Sequence, residues 1–181
     1  MGFFRKVKAI KTVGTDHLIE TSKHIQLYGR MMFEAYTQLE GVTLAQEMVH
    51  AYTRELFTFA LRIIKADGVV SHEEVEILKV LFGGHYSTKE INKLINEIGE
   101  EAWEEDAEII PPVAAGLINL AVVTEGMDPF SIPALYMQIA SSIAAADGSI
   151  DEIEAIAAYE YVNMLVEYAQ SLIDERLGEP A

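Results

Sequence analysis

The sequence predicts an all-α bundle, and three observations carry that expectation. Apolar residues recur at spacings of three and four along most of the chain, the period of one helical face. No stretch alternates apolar and polar residues for long enough to make a strand. The breaks between periodic stretches carry helix punctuation, with Gly, Pro, Ser, Thr and Asp at terminal positions. About seven helices follow, arranged as two pseudo-symmetric halves because one helix–turn–helix unit occurs twice.

The first helix is expected from Thr15 or Asp16, either of which can cap it, to Glu40, with Gly41 closing it. Thr43-Leu44-Ala45-Gln46 reads as a capping box opening a long helix that ends at Asp67. Leu56, Phe59, Ala60, Ile63 and Ile64 give that helix its core stripe. The next covers His72 to Phe82, stopped by Gly83-Gly84, and Ser87-Thr88-Lys89-Glu90 caps one whose face is Ile91, Leu94, Ile95 and Ile98. An acidic segment follows, Glu100 to Glu108, expected as a solvated helix end or loop anchored inward by Trp103, or else as a docking site for a basic partner. Pro111-Pro112 opens a helix through Val123, ended by Glu125-Gly126. Asp128-Pro129 or Ser131 starts another, and the last runs from Glu152 to about Leu177. Residues 1–42 thus form a basic arm and an added helix, 43–177 the repeated domain, and 178–181 a tail.

The repeat centres on a turn. Asp67-Gly68-Val69-Val70-Ser71-His72-Glu73-Glu74 is answered 80 residues later by Asp147-Gly148-Ser149-Ile150-Asp151-Glu152-Ile153-Glu154. The match continues upstream, pairing Ala60 with Ala140, Ile63 with Ile143 and Ala66 with Ala146. The glycine suits a positive φ past a helix end. Ser71 or Asp151 is an N-cap, and Glu74 or Glu154 completes a capping box. Asp67 and Asp147 are not so explained. In the last turn of a helix a carboxylate meets the negative end of the macrodipole, a penalty of about 0.3–1 kcal/mol. A cation partner would account for that choice being made twice.

Composition limits the functions available. The 181 residues have a formal charge of −16, which disfavours nucleic acid, whose phosphates would be repelled, and favours divalent cations or a basic partner. With no cysteine, disulfides, thiolate metal sites and thiol nucleophiles are excluded. Half of the residues are hydrophobic, enough for a sizeable core. Met1-Gly2-Phe3-Phe4 lacks the apolar core of a signal peptide, and Lys6 stands where a myristoylation signal wants Ser or Thr. The expected compartment is the cytoplasm, with membrane association as a second option. Residues 1–14 hold Arg5, Lys6, Lys8 and Lys11 without an acid. They are either an arm for anionic lipid at a membrane surface or a terminus lying on the acidic body.

An alanine-rich helix entering Asp-Gly-x-(Val/Ile)-(Ser/Asp)-x-x-Glu, present twice in an acidic helical chain, resembles the tellurite-resistance TerB-like family. That family includes the N-terminal domain of a membrane-anchored DnaJ-type co-chaperone. The resemblance covers about Thr43 to Leu177. It implies a helical bundle whose motif acids form a negative, metal-binding surface. It further implies protein partners, in stress response or in membrane-associated complexes, and no catalysis. Carried over by motif, the acids are Asp67 and Glu74 in the first half and Asp147 and Glu154 in the second. Asp151 adds a carboxylate where the first copy has Ser71, making that first copy poorer in ligands.

Ca²⁺ or Mg²⁺ is the cation such oxygen ligands suit. The competing expectation is a scaffold whose acids only cap helices. An EF-hand is disfavoured, because its first and third ligand positions would be Ile63 and Lys65, or Ile143 and Ala145. A carboxylate-bridged metalloenzyme is a third reading, from the Glu-x-x-His of Glu47 and His50, but the unit occurs once where a di-iron bundle uses two.

Overall fold

The computed structural model describes residues 14–99, 103, 109–146 and 152–178, and among them the chain forms seven helices and no strand. These are α1 (Thr15–Glu40), α2 (Val42–Lys65), α3 (His72–Phe82), α4 (Thr88–Ile98), α5 (Pro112–Val123), α6 (Ser131–Ala144) and α7 (Glu152–Gly178).

The bundle is organised around α2, which packs against each of the other six described helices. Its sequence explains why. The first half buries only Ala45 and Tyr52, while the second buries Leu56, Phe59, Ala60, Leu61, Ile63 and Ile64. Two residues in every turn satisfy a one-sided helix, whereas five of the six from Phe59 to Ile64 require neighbours nearly all round. Those neighbours include α6, which buries Ile132, Leu135, Tyr136, Ile139, Ala140 and Ile143, and α7, whose stripe is Ala158, Tyr161, Val162, Leu165 and Ala169. The repeated positions Ala60, Ile63, Ala140 and Ile143 are all buried, and the two helices carrying them pack on each other. On the other side α1 lies along α2, α3 and α6, and its Leu18, Ile25 and Met32 belong to the same core.

Several helix ends differ from the sequence expectation, each for a local reason. Gly14 and Gly41, both at positive φ, open α1 and α2 without any side-chain cap. Thr15, Asp16 and Thr43 therefore stand inside their helices, and the capping box expected at Thr43–Gln46 does not form. A glycine in a conformation closed to other residues lets the chain enter the helix before the Thr can serve as a cap. The boxes at Ser71/Glu74 and Ser87/Glu90 do form, with both reciprocal bonds present. Helix α2 stops at Lys65 and not at Asp67, because Ala66 N–H bonds Ile63 O at 3.1 Å and Gly68 N–H bonds Lys65 O at 2.9 Å. These three-residue closures tighten the end of the helix. Trp103 is buried as expected and donates from Nε1 to Ile95 O. The rest of the acidic segment, residues 1–13 with their lipid-binding reading, and the turn at 147–151 lie outside the described residues.

Candidate functional site

Of the five carboxylates named from the sequence, the structure places two in full. Asp67 is exposed and sits beyond the end of α2. Its Oδ1 accepts the Val69 N–H at 2.8 Å, an Asx turn that carries the chain around Gly68. Asp67 stands just past the last turn, where this bond gives it a conformational task of its own. Glu74 is buried, with 4% of its surface exposed. Its Oε2 accepts the Ser71 N–H at 2.6 Å while Ser71 Oγ accepts the Glu74 N–H at 3.1 Å. Val70 turns back and packs against the core, leaving Val69 outside. Asp147 and Asp151 lie outside the described residues, and Glu154, in the first turn of α7, is described only by its backbone. Among the described residues no group of three His, Asp or Glu side chains is gathered as metal ligands require. Glu47 and His50 both stand on the exposed side of α2.

Beside the turn, Glu76 is buried and ion-paired with Lys79 at 2.6 Å, with His72 Nε2 at 3.8 Å.

A further carboxylate, not singled out from the sequence, is the more consequential. Glu55 of α2 reaches the start of α5, where its two oxygens accept the Val113 N–H at 2.9 Å and the Ala114 N–H at 2.8 Å. Pro111 offers α5 no side-chain cap, and Pro112 occupies the first turn. Proline has no N–H to satisfy, so the next two donors are the exposed need of this terminus, and Glu55 takes both. Tyr136 of α6 donates its hydroxyl to the same carboxylate at 2.9 Å. Three helices thus meet on one side chain. Burial pushes the Glu55 carboxyl above the usual carboxylate range, against the two backbone bonds and the Tyr136 bond that pull it down. The Tyr136 hydroxyl is raised well above its ordinary value, first by burial and then by the charge of Glu55. Around it, the rings of Phe59, Tyr136 and Tyr161 lie with centroids 4.8–5.9 Å apart.

Glu55 was legible in principle. It falls between Tyr52, Leu56 and Phe59, so it is a carboxylate on the apolar stripe of an amphipathic helix, and such a residue must find donors inside the fold.

One surface feature also stands apart. A groove of about 460 Å³ runs between the second half of α1, the start of α2, α5, and the α5–α6 connection. It is lined mostly by aliphatic, aromatic and thioether side chains, with the hydroxyls of Thr124 and Ser131 at one end.

Fold and site together define an all-helical domain whose described motif acids are engaged in helix termini. No family model matches the chain, and no solved structure matches it. Motility protein A of Escherichia coli (strain K12) is 28% identical over 159 residues, which is 88% of this chain and 48% of that protein. The chain spans about half the length of this curated relative. No described helix is long and apolar enough to cross a membrane.

Proposed function

We propose that the chain is a non-catalytic helical scaffold that works through protein contact, TerB-like in its turn motif, with the motif acids employed in folding and not in holding a cation. The observation that supports this reading is the use made of the first turn. Asp67 and Glu74 each give an oxygen to a backbone N–H of the same turn, at 2.8 Å and 2.6 Å. Glu74 is buried while doing so. Each of these bonds gives its carboxylate a task in the turn that explains its presence without a cation, and breaking the bond of the buried Glu74 to the Ser71 N–H would cost about 1–3 kcal/mol. Glu55 is likewise directed at holding helices together.

Thermal unfolding with added CaCl₂ or MgCl₂, against NaCl of equal ionic strength, tests the proposal. A ligand present at a hundred times its Kd stabilises by about 2.7 kcal/mol, a shift that such a scan resolves. The expected result is the same small shift for the wild type and for the Asp67→Ala/Asp147→Ala variant. A rise in Tm of several degrees with Ca²⁺ or Mg²⁺ that the double variant lacks would overturn the scaffold reading in favour of a cation site.

A further inference from the structure

The apolar groove between α1 and α5 has the properties of a helix-binding surface. We propose that it docks an amphipathic helix of a separate protein whose flanks are rich in Lys and Arg. The inference rests on the reading of the chain as an interaction module and names the chemistry of the partner.

Shape comes first. The α1 wall extends from Tyr28 to Leu39, about 16 Å or three helical turns at 1.5 Å per residue. That length suits the i, i+4, i+7 anchors of a helix laid in a groove. The groove's rim is exposed, with Leu39 at 77% and Leu120 at 44%, above a floor of buried side chains that includes Met32, Leu117 and Ile132. Four of the chain's seven methionines line it, Met31, Met32, Met48 and Met127. Their unbranched thioethers adapt to a partner surface more readily than Leu or Ile would.

The second observation is Gly116. It stands in the middle of α5, where glycine costs about 1 kcal/mol relative to alanine. Its φ is not positive, and a Cβ built there would meet nothing within 4 Å. Neither the turn of the chain nor internal packing therefore asks for glycine. A bare backbone at the groove lets an outside helix approach α5 closely.

Charge decides the partner's flanks. The segments bordering the groove, residues 28–49 and 109–132, carry five exposed acids, Glu34, Glu40, Glu47, Glu125 and Asp128, against one exposed base, Arg30. An acidic or neutral helix would meet like charge or none, whereas Lys and Arg beside its apolar face find complementary carboxylates.

The test uses the full chain and an 18-residue Leu/Lys peptide with leucines at helical spacing. Fluorescence anisotropy is read against a scrambled Leu/Lys peptide and a matched Leu/Glu peptide. The expected result is saturable binding of the helical Leu/Lys peptide alone, weakened at least tenfold by Gly116→Leu and by Leu120→Asp, each shown by circular dichroism to remain folded. Equal binding of the scrambled peptide, or no loss in either variant, overturns the groove. Preference for the Leu/Glu peptide overturns the charge assignment and leaves the interaction module standing, and absence of binding by any peptide overturns the docking surface altogether. Binding that occurs only after deletion of residues 1–13 assigns the groove to the chain's own basic arm. A dimer that Leu120→Asp dissociates assigns it to a second copy. Either of those outcomes overturns a separate partner.

Discussion

Glu55 accepts the backbone N–H of Val113 at 2.9 Å across 58 positions of sequence, and so a residue of the central helix caps a helix begun by two prolines. The bond joins the hub of the bundle to α5, and the Tyr136 hydroxyl on the same carboxylate ties in α6. Glu55→Ala is expected to destabilise the protein by about 2–4 kcal/mol, since the Val113 and Ala114 N–H groups and the Tyr136 hydroxyl lose their acceptor together. Urea unfolding measures it, and a loss below about 1 kcal/mol would show that water replaces the carboxylate at no great cost.

The same carboxyl gives stability a pH dependence of defined sign. Its folded pKa lies above the ordinary carboxylate value, with burial the largest cause. Between the unfolded and the folded pKa the native state binds more protons than the unfolded one, so this group's contribution falls as pH rises through that window. Other carboxylates titrate there too, so the observable is a difference. The stability of the wild type relative to Glu55→Gln is expected to decline from pH 4.5 upward and level off above the folded pKa. A difference that rises with pH would mean that the three hydrogen bonds outweigh burial.

At the first turn, Ser71→Ala is expected to cost about 1 kcal/mol, the ordinary worth of an N-cap hydroxyl. Asp67→Asn keeps an oxygen for the Val69 N–H and should be nearly neutral, since Asn forms the same turn. Chemical denaturation of the two variants separates these effects. A large loss in Asp67→Asn would mean that the charge, and not the Asx turn, is what the position requires.

What the sequence disclosed follows the range of the interaction. The boxes at Ser71/Glu74 and Ser87/Glu90 are complete within four residues, and both formed as read. Thr43 offered the same pattern, yet Gly41 begins α2 earlier, because a short motif cannot know the dihedral of the residue before it. The cap supplied by Glu55 was hidden by distance along the chain, although its place on an apolar stripe was visible. The groove was hidden differently, for Leu39 and Leu120 look like core until the bundle leaves them uncovered. Of the five proposed ligands, Asp67 and Glu74 each accept a backbone N–H within the turn.

Arg62 holds the single tryptophan from two directions. Its guanidinium donates to Trp103 O and lies over the Trp103 and Tyr161 rings, 5.8 Å and 5.5 Å from their centroids. Arg62→Met keeps much of the stem and removes the charge and the hydrogen bond. The expected loss is about 1–2 kcal/mol, with Trp103 emission shifted to the red and more open to acrylamide quenching. Unchanged emission would show that the Nε1 bond to Ile95 O and Lys65, 6.0 Å from the ring centroid, hold the indole without Arg62.

Gly68 and Gly84 separate backbone strain from steric conflict. Both have positive φ, at 79° and 83°, a region that costs an ordinary residue about 1–2 kcal/mol. A Cβ at Gly68 would meet nothing within 4 Å, whereas at Gly84 it would lie 2.8 Å from Cζ and the hydroxyl of Tyr86. Tyr86 cannot swing aside freely, because its ring packs on Phe57 at 5.3 Å and Phe57 meets Phe82 edge-on at 5.4 Å. Gly68→Ala should therefore cost the strain alone, and Gly84→Ala about 2–4 kcal/mol once overpacking is added. The excess belongs to the contact with Tyr86. In a Tyr86→Ala background the cost of Gly84→Ala should fall to that of Gly68→Ala, while Gly68→Ala itself stays unchanged. A double-mutant cycle on thermal or urea unfolding reads the coupling directly, and a coupling near zero would mean that backbone conformation accounts for the whole loss at Gly84.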